Sequence, residues 1–377
     1  MAEKEAKNNK DQKTQTETED FRGGFKTEAF LNPAERRQPL RGFEDEYGDI
    51  VHYIYRCTHR IWEEKGLGVI YSHYGHNIPI YTSDGMIYGR DMVVAGSSVT
   101  MAAFPDVRLI GDDVIWSGNE DEGFHTSHRI SWIGHNTGHS IYGPPTGKRI
   151  YRFGIANCYV KENMIVEEWI ARDELGLILQ LGFDPWRQAA KMVKKAQAKG
   201  LSTEVKGEIE RLDGQGFPEE PPALDSTNFS VEDFITKAFQ EIWNWRLVNK
   251  VNDYYVPNYY FHGPAGRDFQ GLGDLKNWMV TTLAMFPDLF VSLDHIYWNG
   301  SEEQGYQVCV RWTMHGTHRG PGIYGEPTGK RIKIMVISHM HIKGGKFVKE
   351  WTTFDEFVLL KQIYTPEIHG TFEDEGE

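Results

Sequence analysis

Displaced by 182 residues, the chain overlays itself: Phe104 to Asp173 falls on Phe286 to Asp355 without a gap, and 26 of the 70 positions are identical. Self-similarity at this period means that one fold unit is built twice, so each half has to be explained by the same architecture. The longest shared block is YGPPTGKRI (Tyr142 to Ile150) against YGEPTGKRI (Tyr324 to Ile332). Apolar alternation brackets it, so its Gly and Pro residues mark a turn between strands. Phe104-Pro105-Asp106 recurs as Phe286-Pro287-Asp288, and Glu168-Trp169 and Asp173 recur as Glu350-Trp351 and Asp355. Upstream, the helices align after one residue of slippage, with Ile61-Trp62 opposite Ile242-Trp243.

A chain of 377 residues leaves each copy enough length for its own core. We divide it into a polar tail (1–40) read as disordered, a first domain (41–184), a charged linker with helical segments (185–228), a second domain (229–365) and an acidic tail (366–377). Within the linker, Pro185 to Lys199 has a helical pattern, Val205 to Leu212 a weaker one, and Gly214 to Pro222 is a spacer. In the second copy, helical spacing runs over Glu232 to Leu247 and Leu275 to Met285. Strands are expected at Leu289 to Trp298, Gly305 to His315, Arg331 to Lys343 and Lys346 to Phe354. Helices first and strands after give an α+β fold, a curved and mostly antiparallel sheet covered on one face.

Charge narrows the choice of partners. A formal charge of -13 repels phosphate at long range, which speaks against nucleic acid and anionic membranes. Cys57, Cys158 and Cys309 are far apart and form no metal-binding or disulfide pattern. With no apolar leader and no run of about 18 apolar residues, the expected location is the cytoplasm. No cofactor is implied. The Lys148-Arg149 and Lys330-Arg331 pairs follow a Gly, but they join strand to strand and lack a phosphate-loop context.

Taken together, the Phe-Pro-Asp after a helix, the strand ending in Gly316-Thr317-His318, the Thr-Gly-Lys-Arg turn and the closing Glu-Trp and Asp resemble the SnoaL-like polyketide cyclase family. This is a branch of the cone-shaped fold shared with nuclear transport factor two, and the resemblance covers both copies. It implies two tandem cone-shaped domains, each a curved sheet packed against N-terminal helices. In family cyclases an aspartate on the last strand is the acid/base for an intramolecular aldol closure, with a histidine on the preceding strand beside it. Those positions fall on Asp355 and His341, with His339 two residues earlier. In the first copy they fall on Asp173, Tyr159 and Asn157, so the resemblance implies that the second copy carries the chemistry. Single-domain members pair through their sheets, which implies a pseudo-dimer within this chain and leaves a homo-oligomer open.

The residues support a site on their own terms. Alternation puts His339 and His341 on one strand face, and Trp351, Thr353 and Asp355 on one face of the next. Should these faces meet inside a cone, imidazole and carboxylate line one cavity, where burial raises a carboxyl toward the range of a general base. Arg311, Thr313 and His315 alternate on the strand before the turn, and an inward Arg311 could hold a substrate carboxylate. Trp351, Trp169, Tyr260 and His262 complete the expected pocket walls. His339, His341 and His262 lack any metal spacing beyond His-x-His, and no metal is expected. The reading is therefore an acid/base enzyme of the cyclase, isomerase or lyase type, free of cofactor, acting on a small, partly apolar carbonyl compound. Its alternative is a non-catalytic binding protein built from duplicated cones.

Overall fold

The computed structural model describes residues 35–205, 220–225 and 228–372. Most of the expected N-terminal tail, the weaker linker helix from residue 206 onward and most of the spacer lie outside them. In the first copy, α1 (Ile50–Trp62) and α2 (Val69–His73) precede a hairpin of β1 (Pro79–Thr82) and β2 (Gly85–Tyr88). After α3 (Arg90–Ala103) come four long strands, β3 (Arg108–Asn119), β4 (Gly123–His135), β5 (Arg149–Lys161) and β6 (Met164–Arg172). The copies are joined through α4 (Glu174–Leu181) and α5 (Pro185–Ala198). The second copy opens with α6 (Val231–Phe239) and α7 (Val251–Tyr254), then β7 (Tyr255–His262), β8 (Asp268–Gln270) and α8 (Leu272–Met285). Its long strands are β9 (Phe290–Ser301), β10 (Gly305–Thr317), β11 (Arg331–Lys343) and β12 (Lys346–Phe354), followed by α9 (Glu356–Ile363) and α10 (Pro366–His369).

Local chemistry sets the boundaries. Asp49 caps α1 by accepting from His52 N at 2.7 Å, and Ser230 caps α6 by accepting from Asp233 N at 3.2 Å. Asp184 and Pro185 start α5 as cap and first-turn proline, while Gly182, at φ +83°, ends α4. The Phe-Pro-Asp motif closes the corner between helix and sheet: Asp106 accepts from His135 N at 2.7 Å, and Asp288 accepts from Thr317 N at 2.6 Å.

Each copy forms an open six-stranded sheet, in the orders β2-β1-β6-β5-β4-β3 and β8-β7-β12-β11-β10-β9. All neighbours are antiparallel except β1 with β6 and β7 with β12. These are two α+β cone domains in tandem, as the repeat implied. The hairpins β1–β2 and β7–β8 escape the periodicity reading because β8 has three residues and all four residues of β2 are exposed.

Alternation separates an inner face from an outer one. On β11, Ile332, Ile334, Val336, Met340 and Ile342 enter the second cone's core, while Met335 and Ile337 face away from it. The outer faces of the two sheets pack on each other through Ile115, Phe153, Ile155 and Ala171 from the first copy and Tyr297, Cys309 and Ile337 from the second. Asn299 ties the sheets further, donating to Trp116 O at 2.7 Å and accepting from Trp116 N at 2.9 Å. The copies thus form a pseudo-dimer within one chain.

Candidate functional site

His339, His341, Trp351 and Thr353 do share a face, as alternation requires: His339 pairs with Trp351 and Ile337 with Thr353 across the β11–β12 ladder. That face is the outer one. The expectation that it lines the cone is corrected, because the inner positions of β11 are taken by the apolar residues that build the core. His339 points at the first domain, where its Nε2 lies 2.6 Å from Ser127 Oγ and its Nδ1 lies 3.8 Å from Asp113 Oδ2. Burial lowers the pKa of both His339 and His341, the latter to about 4. Although burial pushes the Asp113 carboxyl up, His339, Arg129 and His341 together bring it below its ordinary value.

The remaining expected residues divide between the same interface and the caps. Asn157, the counterpart of His339, donates to Tyr297 Oη and lies 3.0 Å from Cys309 Sγ. Tyr159 donates to Glu122 O and stacks on His125. Arg311 lies over Trp169, and His315 stands opposite Lys333 on β11. Tyr260 sits under the Lys349 ammonium, while His262 pairs with Asp268. Asp355 and Asp173 cap the helices that follow the last strands. Asp355 accepts from Val358 N at 3.0 Å; Asp173 accepts from Gly176 N at 2.8 Å and from Ala265 N of the other domain at 2.9 Å. Burial, reinforced by the Glu174 charge, pushes Asp355 up to about 7. Asp355 therefore feels the Glu174 charge across the domain boundary, while His339, further along the β11–β12 ladder, meets Ser127 and Asp113.

The cone interiors reveal a different pair of carboxylates, the glutamates of the repeated Glu-Trp. Glu350 in the second cone is fully partnered: Tyr259 and Thr352 donate to it, with Ser338 Oγ 3.5 Å away and itself receiving Trp312 Nε1–H at 3.1 Å. Around it the core is continuous, running through Phe234, Phe239, Trp243, Met279, Val336 and Met340. Glu168 in the first cone is 7% exposed, and among the described residues its carboxyl makes no hydrogen bond or ion pair. Burial pushes it up to about 7, with only the Arg172 charge pulling it back. Its charge is close enough to Cys57, Tyr74 and Cys158 to raise each of them further.

Substitutions between the copies explain the contrast. At equivalent positions the first cone has Ile78, Ala156 and Ile170 where the second has Tyr259, Ser338 and Thr352, so every donor to the glutamate is gone. It also has His128 for Val310 and Arg172 for Phe354. The first cone's apolar residues accordingly fall into separate groups, one around Tyr53, Phe124 and Ile170, one around Cys57, Ile61 and Ile70, and one with Ile130 and Trp132. Among the described residues, His128 Nε2, Trp132 Nε1 and Arg172 Nε are buried without a hydrogen-bond partner. Burial drives His128 down to about 3, so its ring is neutral; Tyr55 meets it edge-on at 5.1 Å. Buried polar atoms left unpaired are rare in native proteins, and here three gather in the cone that holds the unpartnered Glu168. Strand alternation puts Glu168, Ile170 and Arg172 on one face of β6. The missed signal was the set of polar-for-apolar exchanges between the copies.

Residues 234–363 match the model of the SnoaL-like polyketide cyclase family. The second unit is a SnoaL-like domain. The first repeats its topology strand for strand, so the chain carries the same six-stranded fold twice. Among solved structures, the chain is similar to a putative polyketide cyclase from Acidithiobacillus ferrooxidans at 21% identity and a TM-score of 0.31, over 36% of this chain and 97% of that one. It is also similar to a putative SnoaL-like polyketide cyclase from Jannaschia sp. CCS1 (14% identity, TM-score 0.33, 36% and 92% covered). A third, IdmH, a putative polyketide cyclase from Streptomyces antibioticus, has 20% identity and a TM-score of 0.31, with 35% and 96% covered. No curated protein matches the chain. Among the described residues, no helix is long and apolar enough to cross a membrane, and no group of three or more His, Cys, Asp or Glu could hold a metal ion.

Proposed function

We propose that the chain is an acid/base enzyme of the cyclase, isomerase or lyase kind, working on a small, partly apolar carbonyl compound inside the first cone, with Glu168 as the proton carrier. One observation carries this reading: the Glu168 carboxyl is buried without a partner and shifted to about 7, while its duplicate Glu350 is fully hydrogen-bonded. A carboxyl with a pKa near the working pH is half ionised there, which suits a group that must both take and return a proton.

In such a step the ionised Glu168 removes a proton from the carbon next to a carbonyl. The C–H electron pair moves toward the carbonyl oxygen, giving the enolate. For ring closure, the enolate carbon bonds to a second carbonyl carbon, and the proton on Glu168 passes to the new alkoxide. For isomerisation, the proton returns to a different atom. All atoms and electrons stay within the substrate, so the chemistry needs no redox partner. Tyr55, Tyr74 and Trp132 supply aromatic walls, and the second domain acts as the scaffold that fixes the first sheet. The family name of the second unit supports cyclisation as one member of this reaction class.

Native mass spectrometry of the parent and Glu168→Gln, after incubation with a metabolite extract, tests the reading. A compound converted by the parent and retained unchanged by the variant supports it. A compound held unchanged by both would instead make the chain a binding protein.

A further inference from the structure

The first cone holds a cation for which the fold itself has no evident use. Arg172 is half-buried at the end of β6, with its Nε fully enclosed and without an acceptor among the described residues. Its neighbour Arg152 is already engaged, 3.0 Å from Glu174 and stacked over Trp132 at 4.6 Å. Arg172 reaches the same ring only at 6.0 Å. In the second copy the equivalent residue is Phe354, packed into the core, so this strand end does not need a charge in order to fold. Enclosing a guanidinium N–H without a hydrogen-bonded acceptor is unfavourable, and the position accepts an apolar ring.

We propose that the substrate of the first cone is a keto acid, whose carboxylate is held by Arg172 while its carbonyl faces Glu168. The proposal rests on the acid/base reading for the placement of the carbonyl and on Arg172 alone for the carboxylate. The enclosed Nε–H and an adjacent Nη–H form one side of the guanidinium fork, the side that matches both oxygens of a carboxylate in a two-pronged pair. Arg152 is engaged with Glu174, and the Glu174, Glu168 and Asp355 carboxyls act on Arg172 only at a distance, with no ion pair to it among the described residues. His128, neutral and with an unpartnered Nε2, adds a hydrogen-bonding site for a further oxygen.

The test uses 4-oxo-4-phenylbutanoate and its methyl ester as probes, with affinities measured by calorimetry on the full chain. The parent is expected to bind the acid at least about tenfold more tightly than the ester. Arg172→Met should remove that preference and Arg172→Lys should restore part of it. Glu168→Gln should keep the preference, so a failure of the acid/base reading, seen as unchanged turnover in that variant, is separable from a failure here. Equal affinity of the parent for acid and ester, no binding of the acid in the low-millimolar range, or a preference that survives in Arg172→Met would each overturn the proposal.

Discussion

The Arg129 guanidinium lies 3.9 Å from the centre of the Trp351 ring, and 182 residues further along Arg311 stands 3.8 Å from Trp169. The two contacts exchange domains: each arginine of one copy covers the tryptophan of the other. Both pairs come from the set that is identical in the two copies, and their place is the seam between the sheets. A desolvated cation–π contact is worth about 0.5 to 2 kcal/mol. A double-mutant cycle on Arg129→Ala and Trp351→Ala, followed by urea unfolding, should give a coupling energy in that range, with a similar value for Arg311 and Trp169. Additive losses would mean that the rings only fill space.

Ser127, His339 and Asp113 are arranged like a nucleophile, base and orienter, yet Ser127 and His339 are both 0% exposed and lie in the seam between the sheets rather than in either cone. Across the pseudo-two-fold axis the same positions carry Cys309, Asn157 and His295, so the seam uses two different hydrogen-bonded sets for one structural task. Ser127→Ala strips His339 Nε2 of its partner and should cost about 1 to 3 kcal/mol in stability. A serine-directed fluorophosphonate should not label the native protein; labelling that depends on Ser127 would contradict this account.

The repeat made the duplicated α+β architecture legible, because a period of 182 residues leaves little else for the chain to be. The long strands of the second copy were legible from alternation: Arg331 to Lys343 and Lys346 to Phe354 are found with those bounds. Which face of a strand turns inward was not. His339 and His341 alternate with Met340 and Ile342, and both sets are mostly buried, one in the cone and one in the seam. When two sheets pack back to back, alternation loses its polar side and no longer tells core from interface. Glu168 was visible as half of a motif, but its importance lies in what is missing around it.

Asp355 and Asp173 illustrate how one residue type can serve two roles. Each caps the helix after its last strand, so Asp355→Ala should lose about 1 kcal/mol through the cap alone. Asp355→Asn keeps an acceptor for Val358 N and removes a carboxyl that burial and Glu174 hold at about 7. A carboxyl raised in the folded state binds a proton there that the unfolded chain has already released. Stability is therefore lost as pH rises from the ordinary carboxylate range through about 7. Asp355→Asn is expected to match the parent at pH 4 and exceed it at pH 8 in thermal unfolding, with turnover retained. A collapse of turnover in a well-folded Asp355→Asn would move the proton carrier from Glu168 to this cap.

The same sign governs Glu168, with a second readout. Its folded pKa of about 7 lies above its ordinary value of 4.5. Between those two values the native protein holds a proton that the unfolded chain does not, and stability falls with rising pH. Glu168→Gln removes this term, so its stability relative to the parent should climb across that window, toward a ceiling of roughly 3 kcal/mol. Glu350→Gln should behave differently. Tyr259 and Thr352 both donate to the Glu350 carboxyl, and an amide can accept at only one of its two ends, so that variant should lose about 1 to 3 kcal/mol. In activity, kcat/KM of the parent should rise with pH through about 7 as Glu168 ionises, and Glu350→Gln should keep that profile. Urea unfolding at intervals from pH 4 to 8, run beside the rate profile, decides the matter. Parallel stability curves for the parent and Glu168→Gln would mean that Glu168 does not titrate in this window and is not the proton carrier.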